Sequence, residues 1–140
     1  MISIAGAILV SKTGSLLLQR RDDNPAIFSP NMISIFGGSA EPDEDNLLEV
    51  AMREIEEETG LSPSKQAFIS LVDFNNVYPD GRNITGSFYI LKDIEKSELN
   101  ITEGTLIEIP ISQVGKFMHE MVPTTCFAIS IYLQSIKADS

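Results

Sequence analysis

Residues Gly37 to Leu61 read GGSAEPDEDNLLEVAMREIEEETGL. Between Glu41 and Glu58 this stretch holds nine acidic residues (Glu41, Asp43, Glu44, Asp45, Glu49, Glu54, Glu56, Glu57, Glu58) and one basic residue, Arg53. Good helix formers fill its back half, and neither Gly nor Pro interrupts them before Gly60. Gly60 stands where a left-handed C-terminal cap is expected, and Pro63 discourages continuation. Asn46 is a favourable N-cap, so the helix is predicted to start there with Leu47 and Leu48 in its first turn.

On a wheel with Leu47 at zero, Leu47, Ala51, Ile55, Leu48 and Met52 fill an arc of roughly 0–140°, the predicted core face. Glu49, Glu56 and Arg53 fall at roughly 180–240°, toward solvent. Glu54, Glu57 and Glu58 cluster between roughly 280° and 20°, beside the apolar arc. Their i, i+3, i+4 spacing puts three carboxylates on one stripe, and each like-charge pair costs a few tenths of a kcal/mol in an isolated helix. Most charge runs are solvated faces. This one borders the core and follows a Gly-Gly turn behind a short apolar run, so it suits a hard divalent cation, Mg²⁺ or Mn²⁺. Arg53 can pair with Glu49 and Glu57 at i±4, ordering the stripe without filling that site.

These residues resemble the signature box of the Nudix hydrolases, G-x5-E-x7-R-E-U-x-E-E-x-G-U with U apolar. Arg53-Glu54-Ile55-Glu56-Glu57-Glu58-Thr59-Gly60-Leu61 fits every defined position. Gly38 and Glu44 fit the first half, but eight residues rather than seven lie between Glu44 and Arg53. Strict spacing would put Ser39 and Asp45 in those places. A loop absorbs an extra residue more easily than a helix, so Gly38 and Glu44 are preferred, with the insertion near Asp45-Asn46. Asp43 and Phe36 stand where many members carry glycine and proline. The resemblance implies an α/β fold, the Nudix α/β/α sandwich, with a mixed central sheet and the box helix packed against it. It also implies metal ligation by Glu54, Glu57, Glu58 and the Gly38 carbonyl. Glu54 or Glu57 would polarise the attacking water, Glu44 would hold the loop or reach the metal through water, and Arg53 completes the catalytic set. A further carboxylate late in the chain is expected. Glu103, in Thr-Glu-Gly, is preferred over Glu95, Glu98 and Glu108.

A length of 140 residues suits one domain over 1–140. Net charge of −10 and a pI near 4.4 argue against a basic surface for nucleic-acid polymers or anionic membranes. A phosphate substrate would then be received by metal and a few local cations. One cysteine, Cys126, excludes an intramolecular disulfide, and its apolar neighbours predict a buried small hydrophobe rather than a nucleophile. With no leader pattern and no apolar run near 18 residues, the expectation is a soluble cytoplasmic protein. A homodimer is left open.

Ile2–Val10 and Leu16–Arg20 are predicted strands joined by a Lys12-Thr13-Gly14 turn. Arg20 and Arg21 end the second strand and point to opposite faces. By resemblance to MutT-type enzymes, one of them is a candidate for gripping substrate. Asp22–Asn31 is a predicted loop that could rim a pocket, with Phe28 or Ile27 covering a base. Met32–Phe36 is a short strand entering Gly37-Gly38. Gln66–Tyr78 and Ile84–Leu91 follow as strands around a Pro79-Asp80-Gly81 turn, then a strand at Thr105–Ile109. A short helix is predicted from Ser112 or Gln113 to Met118, and a last helix starts with Pro123 at N1. His119, the only histidine, reads as an ordinary surface residue.

The chemistry this implies is metal-assisted hydrolysis of a phosphoanhydride in a nucleoside diphosphate linked to another group. A small chain with a QRR–FGG–EEETG layout resembles MutT-type nucleoside triphosphate pyrophosphatases, including those removing oxidised nucleotides. Tyr78, 17 residues past Leu61, resembles a mark of diadenosine polyphosphate members, while Pro79 resembles one of ADP-ribose members. Nucleotide sugars and dinucleoside polyphosphates therefore stay open as substrates. A non-catalytic nucleotide sensor is a second class, disfavoured because a binder needs no three repelling carboxylates. An acidic cation buffer is a third, and the EF-hand loop pattern is missing.

Overall fold

The structure, a computed structural model, describes residues 2–27 and 29–138. Its strands are β1 (Ile2–Ser11), β2 (Leu16–Arg20), β3 (Ile33–Ser34), β4 (Phe36–Ser39), β5 (Ile69–Val77), β6 (Asn83–Ile94) and β7 (Thr105–Ile109). Two α-helices flank them, α1 (Leu47–Thr59) and α2 (Pro123–Ala138). All seven strands form one mixed sheet, with β1 at its centre. β1 runs parallel to β6 along one edge and antiparallel to β2 and β4 along the other. From Ala5 to Ser11, β1 is buried without a break. This explains a near-continuous apolar run where one-sided strands would alternate.

The two faces hold separate cores. On one, Ala7, Leu9, Leu17 and Phe36 pack against Val50, Ala51 and Ile55 of α1. On the other, Ile8, Leu18, Phe88 and Ile109 pack against Ala128, Ile129 and Tyr132 of α2. This is the α/β/α sandwich, with the acidic helix on the sheet.

The edge of β1 is shared, and this positions the site. β2 pairs with β1 only at Leu16 and Leu17, and β4 takes its place along Ile4–Ala7. Gly6 and Gly37 face each other in this pairing. A Cβ on Gly6 would run into the Phe36 carbonyl, and one on Gly37 into the Ala5 carbonyl. Only glycine allows the two backbones so close. Gly37-Gly38 is therefore strand, not the turn expected from sequence. The strand expected at Met32–Phe36 breaks at Ile35, whose N–H donates to Thr125 Oγ1 at 3.0 Å. Other departures are small: residues 65–67 form a 3₁₀ turn before β5, and 3₁₀ turns at Ile111–Lys116 and Met118–Glu120 replace the short helix.

Candidate active site

α1 begins as its sequence dictates. Asn46 caps it, accepting the Glu49 N–H at 3.2 Å, and Gly60 ends it in the left-handed conformation at φ 78°. Its buried residues are Val50, Ala51, Ile55 and Thr59. Val50 had no place in the sequence-derived arc, and adding it turns the buried face by roughly 30°. Glu54 and Glu58 then lie within that face rather than beside it. Both carboxylates are pressed against β4. The Gly37 N–H donates to Glu58 Oε1 and Oε2 at 3.2 and 3.3 Å. Gly38 lies under Glu54, where a Cβ would come within 2.6 Å of Oε1 and 2.8 Å of Oε2.

Two carboxylates placed this way resist ionising. Burial, then the neighbouring Glu54 charge and the more distant Glu103, push Glu58 up to about 8, against the pull of the Gly37 N–H. Burial also raises Glu54, although Arg53 draws it back. Glu57 is different: its side chain is 58% exposed and lies against Arg53 Nη1.

Arg53 is the hub. Its guanidinium donates to Glu44 from Nε at 2.9 Å and Nη2 at 2.7 Å, a paired contact that holds the Glu44 carboxyl below its ordinary range. It also donates to Glu54 at 3.1 Å and to the Ser39 carbonyl at 3.2 Å. Glu44 additionally accepts the Glu41 N–H at 2.8 Å, while Asp45 sits exposed in the loop. Glu49, the other partner expected for Arg53, pairs with Lys65 at 3.5 Å instead.

The loop before β7 closes the far end of α1. Asn100 N donates to the Thr59 carbonyl, Thr102 N to that of Glu58, and Thr102 Oγ1 to that of Glu57. Carbonyls left unpaired at a helix end are thereby satisfied. The same loop carries Glu103 toward Glu58. Gln19, buried on β2, fixes the Glu103 carbonyl with a 2.8 Å bond from Nε2. No periodicity marked Asn100, Thr102 or Gln19, because their roles depend on where a distant loop lands.

A cleft of about 360 Å³ is lined by Gly37 and Gly38, the strand residues that Glu58 and Glu54 lie against, together with Arg21, Tyr78 and Arg82. Ile4, Ile84 and Phe88 give it apolar surface, and Thr124 and Thr125 of α2 add hydroxyls. Arg21 also borders a smaller hollow of about 210 Å³ with Ile27 and Glu103. Arg20 is placed elsewhere: it pairs with Glu120 at 3.1 Å and donates to the Asn31 carbonyl at 3.0 Å. Phe28 lies outside the described residues. His119 sits in a 3₁₀ turn, and the half-buried Cys126 donates to the Met118 carbonyl at 3.3 Å.

Among the described residues no three His, Cys, Asp or Glu side chains converge as a ready-made ion cage. The donor chemistry nevertheless fits a hard divalent cation. Glu54 and Glu58 are oxygen donors, held together in a half-buried place where desolvation of both, and the Glu54 charge on Glu58, oppose ionisation.

The Nudix domain profile matches residues 2–121. The chain belongs to the Nudix family and is a hydrolase of that class. No curated protein matches the sequence. Several solved structures share the fold. The E. coli ORF135 protein is 20% identical with a TM-score of 0.75, over 99% of this chain and 92% of that one. The MutT protein from Methanosarcina mazei Go1 is 19% identical with a TM-score of 0.72, over 99% of this chain and 96% of that one. A bifunctional NMN adenylyltransferase/ADP ribose pyrophosphatase from Francisella tularensis, complexed with AMP and a manganese ion, is 19% identical with a TM-score of 0.71, over 96% of this chain but 41% of that one. No helix among the described residues is long and apolar enough to cross a membrane.

Proposed function

We propose that this chain, acting as one domain, hydrolyses a phosphoanhydride bond in a nucleoside triphosphate, releasing pyrophosphate or phosphate, with oxidised nucleotides included among its substrates. The observation that carries the reading is the half-buried Glu54–Glu58 pair against Gly37 and Gly38, glycines that also line the cleft holding Arg21. Glu54, Glu57 and Glu58 would hold Mg²⁺ or Mn²⁺, joined by Glu103 and the Gly38 carbonyl. Such a cation neutralises charge on the phosphates and makes a bound water a better nucleophile at neutral pH.

The chain's own residues supply the rest. The Gly37 N–H fixes Glu58, and Arg53 fixes Glu44, Glu54 and Glu57. Glu54, half-buried against Gly38, is the leading group to take the proton of the attacking water, with Glu57 second. Arg21 draws the phosphates to the acidic end of the cleft, which matters in a chain of net charge −10. The apolar part of the cleft receives the nucleoside.

A second reading within the class is a pyrophosphatase of ADP-ribose type, favoured by the Francisella tularensis neighbour whose description names that activity. A screen of nucleoside triphosphates, 8-oxo-dGTP, ADP-ribose, nucleotide sugars and dinucleoside polyphosphates, each with Mg²⁺ and Mn²⁺, tests both. Triphosphates turning over fastest supports the first reading, and ADP-ribose turning over fastest supports the second. Tight nucleotide binding without phosphate or pyrophosphate release under any condition would instead mark a sensor.

A further inference from the structure

We propose that Thr125, on the helix across the sheet from the acidic one, is a positioning residue that holds β4 where Gly37 and Gly38 meet Glu58 and Glu54. The inference rests on the reading that Glu54 and Glu58 hold the cation. Thr125 is 1% exposed, and its Oγ1 accepts the Ile35 N–H at 3.0 Å. A hydroxyl buried this deeply costs free energy unless its hydrogen bonds are made. Valine would fill the same space, so packing alone does not call for threonine here.

Ile35 supplies the reason. Ile33 and Ser34 pair with Arg20 and Gln19 of β2, whereas Phe36 and Gly37 pair with Ala7 and Gly6 of β1. The chain changes partners at Ile35, and its N–H turns to Thr125 instead of to a strand. Ile35 is itself buried, and a buried N–H left without an acceptor is costly. The segment ahead of α2 holds the same place. Met121 bridges Ile33, Val122 N donates to the Ile33 carbonyl at 2.9 Å, and Glu120 pairs with Arg20 at 3.1 Å. Residues 120–125 thus form a strap along the 33–35 junction, with Thr125 as its last tie.

The strap acts on the opposite face of the sheet through β4. Ile35 precedes Gly37 by two residues, roughly 7 Å of extended chain. β4 cannot settle closer to β1, because Gly37 already lies as near Gly6 as glycine allows. A shift at Ile35 therefore carries Gly37 and Gly38 with it. The Gly37 N–H then leaves Glu58, and the Gly38 backbone leaves Glu54. Losing such an outer partner weakens metal binding by about 10- to 100-fold.

The test uses Thr125→Val, which keeps the shape without the hydroxyl, and Thr125→Ser, which keeps the hydroxyl. Phe36-Gly37 is the only Phe-Gly step in the chain, so ¹³C-carbonyl phenylalanine with ¹⁵N-glycine isolates the Gly37 amide by NMR. In metal-free protein, Thr125→Val should shift that signal and speed its hydrogen exchange by about 5- to 100-fold. Mn²⁺ binding, followed by the EPR signal of the free ion, should weaken by about 10-fold. Thr125→Ser should restore both. Ile129→Val trims the α2 core without removing a hydrogen bond, so it should lower Tm and change neither.

A Gly37 amide and a Mn²⁺ affinity unchanged in Thr125→Val would overturn the proposal. So would equal changes in Ile129→Val, or a serine that restores neither. Should Thr125→Val not fold, Thr125→Ala against Thr125→Ser makes the same comparison. A wild type that binds no Mn²⁺ contradicts the metal reading alone, and the Gly37 amide still decides whether Thr125 positions β4.

Discussion

Glu58 and Gly38 concentrate the chemistry at the level of single residues. Without a cation, Glu58 holds its proton more tightly in the folded chain, near 8, than in the unfolded chain, near 4.5. The unfolded state then binds fewer protons across that interval, so stability falls as pH rises. Its contribution is full below about 4.5 and lost as pH passes 8. Metal-free protein should therefore unfold at lower denaturant at pH 8 than at pH 5, and Glu58→Gln should flatten that slope. Denaturant midpoints across this range in EDTA, for both proteins, check the claim; parallel slopes would refute it. Gly38 is subtler. Gly38→Ala adds a methyl 2.6 Å from Glu54 Oε1, and the side chain of Glu54 is what must yield. We expect kcat to fall about 10²-fold, the scale of an ångström-sized misplacement, with Tm little changed. A large Tm loss with kcat intact would show that Gly38 matters for packing and not for placing Glu54.

Among elements, α1 and the loop ahead of it carry the chain's departure from the common box spacing. Glu44 meets Arg53 and Asn46 caps the helix, contacts that favour placing the extra residue between Glu44 and the cap. Deleting Asp45 should leave a folded protein with most of its activity. Deleting Asn46 also removes the cap, a loss of about 1 kcal/mol. Glu44→Gln should impair turnover more than Asp45→Asn, and kinetics at saturating Mg²⁺ compare them; the reverse order would favour the strict register with Ser39 and Asp45. This element was largely legible in sequence, because Asn46, Gly60 and the apolar spacing each act locally. Its neighbours were less so. Gly37-Gly38 looked like a turn because glycine often marks one, yet here the missing Cβ lets β4 lie against β1. Alternation showed that Arg20 and Arg21 face opposite ways, but not that Glu120 would capture Arg20. The Asn100–Glu103 loop reaches α1 across more than 40 residues of intervening chain, as Thr102 and Glu57 do at a separation of 45, and no local pattern encodes that.

At the scale of the whole molecule, an acidic chain of net charge −10 gathers Arg21 and Arg82 into one cleft, lined also by the glycines that two reluctant carboxylates lie against. A cation that binds only the folded state should stabilise it by about 2.7 kcal/mol at a hundredfold excess over its Kd, a Tm rise of several degrees. A melting temperature indifferent to millimolar Mg²⁺ and Mn²⁺ would contradict that. Calcium could produce the same rise without turnover, so stability alone does not establish the reaction. The most direct measurement is release of pyrophosphate or phosphate from a nucleoside triphosphate by wild type and Glu58→Gln, each with Mg²⁺ and after EDTA dialysis. Turnover should require the cation and fall by about 10³-fold or more in Glu58→Gln. Turnover that survives EDTA, or that Glu58→Gln leaves intact, would contradict a metal-dependent hydrolase built on this helix.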